Sequence, residues 1–127
     1  MKNSPREVVD KMLVAFKAKD IEAIAETVSE DTLWIYHGTH VIPKGEMRGK
    51  EGVSKFFESI ITRTEMLHFE AEKYIEQNNM VVIIGNEHQR VKRSGKELKQ
   101  KWVQIYTVDN GLITRMEEFA STEVVKE

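Results

Sequence analysis

Apolar residues recur at helical spacing in three stretches before the chain changes period. In "NSPREVVDKMLVAFKAKD", Val8, Val9, Met12, Leu13 and Phe16 fall on one stripe. Ser4, Pro5 and Glu7 supply an N-cap, a first-turn proline and a capping-box partner, so the spacing predicts a helix from about Pro5 to about Lys19. Asp20 caps a second, shorter helix with Ile21, Ile24, Ala25 and Val28 on its apolar stripe, and "SEDT" breaks the pattern. "TLWIYHG", rich in aromatic and β-branched residues, predicts a strand. "THVIPKGEMRG", with Pro43, Gly45 and Gly49, reads as a long connection, and "KEGVSKFFESIITR" returns to helical spacing through Val53, Phe56, Phe57, Ile60 and Ile61. After Arg63 the period becomes two. Strands are expected at Leu67–Glu76, Met80–Lys92, Leu98–Val108 and Ile113–Ser121, with "RSGK" and "DNG" as turns of an antiparallel meander. Helices first and a meander afterwards make an α+β fold, with the helices on one face of the sheet.

A chain of 127 residues fits one domain, taken here as 1–127, and is long enough to bury a core without staples. It has no cysteine, which excludes disulfides, zinc–thiolate sites and thiol nucleophiles. Nineteen basic residues stand against twenty-one acidic ones, for a formal net charge of −2, so nothing argues for a nucleic-acid partner. The N-terminal "MKNSPREVVDKMLVAFKAKD" is charged throughout and has no signal-peptide core; the longest apolar run, "MVVIIG", is far too short to span a membrane. A soluble, cytoplasmic protein with no membrane contact is expected. "KRSGKELKQK" carries five lysines and arginines in one hairpin and reads as a solvated edge.

Candidate chemistry is sparse. His37 and His40 are three apart on a strand-to-loop segment, and no HExxH, HxH or EF-hand pattern occurs, so no metal is expected. A Gly-rich dinucleotide loop, a Walker loop and a nucleophile-elbow serine are missing as well, so no cofactor is expected. His68 and His88 read as solvated or structural.

The order of these elements, with "FKAKDIEAIAETVSEDTLW", "RGKEGVSKFF" and "YTVDNGLITRMEEFAS", resembles the nuclear transport factor 2-like superfamily, and within it the SnoaL-like polyketide cyclase and ketosteroid isomerase branch. The resemblance covers essentially the whole chain. It implies a cone-shaped, cystatin-like fold: a curved antiparallel sheet wraps around three N-terminal helices and leaves a mostly apolar pocket open at one end. It also implies a small hydrophobic ligand and a homodimer formed through the outer face of the sheet.

Anchoring the Ser94-Gly95 turn on the similar turn of ketosteroid isomerases fixes which side chains face inward, because successive strand residues alternate. Gly85, Glu87, Gln89 and Val91 then face the pocket on one strand, Trp102, Gln104 and Tyr106 on the next, and Met116, Glu118 and Ala120 on the last. Trp34 and Tyr36 are assigned inward on the first strand; a slip of one residue would exchange Tyr36 for His37. Glu118 and Glu87 are the candidate acid and base, Gln104 a candidate hydrogen-bond donor and His37 a secondary candidate for proton transfer. Trp34, Tyr36, Phe56, Gln89, Trp102, Tyr106 and Met116 are the candidate ligand-binding wall. A buried carboxylate tends to keep its proton, which suits general acid–base work near neutral pH. The alternative is structural: Glu87 solvated at a rim, or Glu118 paired with Arg48 or Lys101.

The chain departs from its relatives at the chemistry. The isomerase base position falls on Tyr36, or on His37 after a slip; the tyrosine position falls on Met12, and the second aspartate position on Gln104. A thioether cannot replace a phenol as donor, so steroid isomerisation by that route is not expected. Ala120 and Ser121 follow Phe119 where cyclases carry an acid, leaving Glu118 as the nearest carboxylate. The Asp-Arg-Asp set of epoxide hydrolases of this fold is missing from the inward residues. Three readings follow: a cofactor-independent isomerase, cyclase or hydratase acting on a small hydrophobic carbonyl compound, a non-catalytic ligand-binding domain, or a dimerisation domain with a filled pocket.

Overall fold

Helix α1 (Pro5–Lys17) starts on the expected capping box: the Glu7 N–H donates to Ser4 Oγ and the Ser4 N–H to Glu7 Oε1, each at 3.2 Å. The coordinates are a computed structural model that describes residues 4–38 and 44–124. His40 and Pro43 lie outside the described residues. Helix α1 ends in a Schellman cap, with the Asp20 N–H donating to Ala15 O at 2.9 Å and the Lys19 N–H to Phe16 O at 3.0 Å. Asp20 then caps α2 (Ile21–Glu26), its Oδ1 accepting from the Ala23 N–H at 3.0 Å.

Val28 does not continue the stripe of α2 but opens strand β1 (Val28–Tyr36). The Thr27 hydroxyl donates to Ile24 O at 2.7 Å and helps to close the helix one residue earlier. The expected long connection contains a short strand, β2 (Gly45–Arg48), which runs directly into α3 (Gly49–Arg63). Strands β3 (Thr64–Gln77), β4 (Met80–Val91), β5 (Glu97–Asp109) and β6 (Leu112–Val124) follow as the meander.

The six strands form one sheet in the order β2-β1-β6-β5-β4-β3. The expectation of a wholly antiparallel sheet is corrected at one pair: β1 runs parallel to β6, with Trp34 opposite Met116 and Tyr36 opposite Glu118. A parallel pair needs a long crossover, and here α3 and the strands after it provide one. Register shifts in the β3–β4 pair, between Met66 and His68 and between Ala71 and Lys73, mark bulges, which bend and twist a sheet. The sheet is curved and unclosed, an α+β cone with the helices against its inner face.

The core lies between the helices and that face. Val8, Val9 and Met12 of α1, Ile24 of α2 and Val53 and Phe57 of α3 are buried together with Trp34, Ile83, Trp102, Tyr106 and Met116 of the sheet. Burying a side chain of this size removes its apolar surface from water and stabilises by roughly 1.5–3 kcal/mol each. Gly85 shows how tightly the face is packed: a Cβ there would lie 2.3 Å from a ring carbon of Trp102 and 2.3 Å from Glu70 O. At the other end of α1, the Arg6 guanidinium sits 3.9 Å from the centroid of the Tyr74 ring and ties the helix to β3. Among the described residues, no helix is long and apolar enough to cross a membrane.

Candidate functional site

The inner faces of β4, β5 and β6 bring four polar side chains together beneath the helices. Pleating and register fix the arrangement. Gln104 of β5 pairs with Glu118 of β6, and Gln100, two alternations earlier on β5, pairs with Glu87 of β4. The Gln104 amide donates from Nε2 to Glu118 Oε1 at 2.7 Å, and the Tyr106 hydroxyl donates to Gln104 Oε1 at 2.7 Å. Gln100 Nε2 donates to Glu118 Oε2 at 3.4 Å. Gln100 therefore stands between the two carboxyls, as register partner of one and donor to the other. It was missed in the sequence, although it shares the parity of Trp102, Gln104 and Tyr106 and could have been found by extending the same alternation.

Aromatic rings enclose this polar group. Trp34, Trp102 and Tyr106 are each only 1% exposed, and Tyr36 is buried beside Glu118. Trp34 meets Phe57 edge-on at 5.4 Å and Tyr106 at 6.1 Å, while Trp102 stacks on Phe69 at 5.2 Å. Met116 is buried opposite Trp34 and Tyr106, and Gln89 is buried further along β4. Phe56 packs edge-on against Phe57 at 5.3 Å, and Phe57 is the ring of α3 that meets Trp34. Trp34 Nε1 and Trp102 Nε1 are buried without a hydrogen-bond partner among the described residues. A buried donor left unpaired is costly, so both N–H groups are suited to an acceptor from outside the protein.

The electrostatics follow from this enclosure. Burial, with the neighbouring Glu118 charge adding to it, pushes the Glu87 carboxyl up to about 8. Burial likewise pushes Glu118 up to about 7, while the Gln104 hydrogen bond acts in the opposite direction by favouring the ionised form. Burial, with the charge of Glu118 beside it, pushes the Tyr106 hydroxyl well above its usual range. Among the described residues, no lysine or arginine forms an ion pair with either carboxyl: Arg48 turns to Glu46 at 3.8 Å, and Lys101 is exposed. Both carboxyls nevertheless retain partial exposure.

His37 is not part of this group. It lies at the end of β1 with its Nε2 2.6 Å from Glu117 Oε2 and its ring stacked on Phe119 at 4.3 Å, on the opposite face from Tyr36 and Glu118. The Glu117 carboxyl is held below its usual range, chiefly by that hydrogen bond to His37. Strand alternation is the physical reason, since Glu117 and Glu118 are consecutive and must point to opposite sides. Among the described residues, no group of three or more histidine, aspartate or glutamate side chains is placed to hold a metal ion.

Comparison with known proteins bears on the fold. A nuclear transport factor 2-like protein of Burkholderia xenovorans LB400 superposes with a TM-score of 0.81 at 21% identity, covering 91% of this chain and 88% of that one. A putative SnoaL-like polyketide cyclase of Mesorhizobium loti gives a TM-score of 0.74 at 19% identity, covering 92% and 99%. The protein TerC, co-crystallised with polyporic acid, gives 0.76 at 24% identity, covering 91% and 89%. At such identities these likenesses concern the fold alone. No match is found among curated proteins. The SnoaL-like domain family, by contrast, matches the sequence itself over residues 9–116, and the chain belongs to that family, with a fold shared with nuclear transport factor 2-like proteins.

Proposed function

We propose that the chain binds a small, largely apolar carbonyl compound against Trp34, Tyr36, Trp102 and Met116, and that Glu118 and Glu87 exchange protons with it. The observation that carries this reading is the pairing of two carboxyls of raised pKa with no basic partner among the described residues. Glu118, held by two glutamine amides, is the more easily ionised and acts as base on a C–H beside the carbonyl. Glu87, still protonated at neutral pH, donates its proton toward the carbonyl oxygen, and the product of this half-reaction is an enol. Returning the proton to a different carbon isomerises the compound; attack of the enol carbon on a second carbonyl within the same molecule cyclises it. The unpartnered indole N–H groups of Trp34 and Trp102 are suited to stabilising charge on the oxygen in the transition state. The relative crystallised with polyporic acid supports a small organic molecule as ligand.

Exchange of α-hydrogens tests this directly. A panel of small apolar ketones incubated with the protein in D2O is followed by proton NMR. Exchange by the wild type that is lost in Glu118→Gln supports the reading; exchange surviving in the Glu118→Gln, Glu87→Gln double variant overturns it. A non-catalytic binding role is the second reading. It is favoured by the engagement of both Glu118 oxygens by glutamine amides, a satisfied arrangement that needs no reaction to explain it. Binding of the same ketones without exchange selects it.

The outer face of the sheet carries Val82, Ile84, Val103 and Ile105, with Phe119 45% exposed beside them. A second copy of the chain is the proposed cover for this face. Light scattering tests it: a dimer that Phe119→Glu dissociates is expected, and a monomer at high concentration removes the proposal.

A further inference from the structure

A groove of about 350 Å³ runs between the last turn of α1, the last turn of α3 and the first half of β3. We infer that this groove is the entrance to the carboxylate site and that it selects a small organic acid, taken with its apolar body inward and its anionic group outward. The inference rests on the proposed function, whose substrate class it narrows.

Three observations support it. The first is apolar lining at a size that suits a small molecule: Phe16, Ile61, Met66 and Phe69 contribute to the walls. The second is charge. The titratable side chains lining the groove are Lys17, Lys19 and His68, with no carboxylate among them. Lys17 and Lys19 are exposed, and neither is in an ion pair with a described residue; Lys17 Nζ lies 5.7 Å from the Phe69 ring centroid, over the apolar floor. His68 faces Glu70 at 3.4 Å. Lys19 also occupies a costly position. Its φ of 59° is the left-handed conformation of a Schellman cap, which glycine adopts without steric penalty.

The third observation is continuity. Phe69, which lines the groove, is the register partner of Glu87 across the β3–β4 pair and stacks on Trp102. A planar body sliding over Phe69 thus arrives beside Glu87 while its anionic end is still within reach of the two lysines. The occupant that fits has an apolar, preferably aromatic, skeleton with one carboxylate or similar anion at its far end.

Two fluorescent probes that differ by one charge test this on the full chain. They are 1-anilinonaphthalene-8-sulfonate and its neutral parent, N-phenyl-1-naphthylamine. Because both lysines are exposed, the Lys17→Gln, Lys19→Gln double variant is expected to fold. Wild type is expected to bind the sulfonate more tightly than the neutral probe. The double variant is expected to lose about five- to tenfold of the sulfonate affinity, from two partly solvated charge contacts, and none of the neutral affinity. Equal binding of the two probes, or equal losses for both, overturns the inference, as does binding of neither. The Glu118→Gln, Glu87→Gln variant separates this from the reaction. Charge-dependent probe binding that persists there supports the groove even if no ketone undergoes exchange.

Discussion

Gln104 donates to Glu118 across the β5–β6 pair at 2.7 Å, and its own carbonyl oxygen is held by Tyr106. The amide therefore has one orientation, and that orientation favours the ionised form of Glu118. Replacing it by an apolar residue of similar volume, Gln104→Leu, removes the donor. The Glu118 pKa is then expected to rise above its present value of about 7, read by carbon-13 NMR of the labelled carboxyl. A fall, or no change, would show that Gln104 does not set the protonation of Glu118.

The contact of Trp102 with Gly85 leaves no room for a side chain. Gly85→Ala must displace the indole or the β3 backbone at Glu70. Overpacking of this kind costs about 1–3 kcal/mol. The expected result is a destabilisation of that size in urea unfolding, accompanied by a shift in tryptophan fluorescence because the ring moves. An unchanged denaturation midpoint would mean that the face is looser than described.

The two raised carboxyls fix the sign of a pH dependence. In the unfolded chain both release their protons near pH 4.5, but in the folded chain they hold them up to about 7 and about 8. Between those limits the folded state binds more protons than the unfolded state, so stability falls as pH rises. Each group contributes a slope of at most about 1.4 kcal/mol per pH unit. Urea midpoints measured at pH 5 and pH 8 are expected to drop for the wild type by more than for Glu87→Gln, which carries no titrating group at that site. Identical drops would place the pH dependence elsewhere.

The left-handed cap at Lys19 gives a prediction of opposite sign for stability and binding. Lys19→Gly relieves the strain of a side chain at φ 59° and is expected to stabilise by about 1 kcal/mol. For a domain of this size that corresponds to a rise in Tm of about 3–5 °C. The same variant is expected to bind the anionic probe less tightly than the wild type. A variant that is both more stable and unchanged in anion affinity would leave the lysine without a role in the groove.

Local pattern carried much of this structure. The capping box at Ser4 and Glu7, the helical stripes and the period-two segments depend on residues within a few positions of one another, and the elements formed close to where they were expected. Parity on β4, β5 and β6 was also legible: once one turn was anchored, alternation placed Glu87, Gln104, Tyr106 and Glu118 on one face, whereas the choice between Tyr36 and His37 on the inner side of β1 stayed open to a slip of one residue. The limits came where neighbours are distant in sequence. Nothing local states that β1 runs parallel to β6, or that four residues of a loop-like segment pair with β1 as β2, because pairing partner and direction are chosen by the packing of the whole sheet. No inward positions were read on β3, where the shift between Ala71 and Lys73 moves them from Phe69 and Ala71 to Tyr74. The groove that Phe69 floors was invisible because its walls come from α1, α3 and β3, which only the tertiary structure brings together. The sequence thus determined which side chains share a face along each strand, since that follows from the pleat alone. Only the tertiary structure decided which strands lie side by side, and so which carboxyls lose their water, because desolvation is imposed by atoms from other strands and helices.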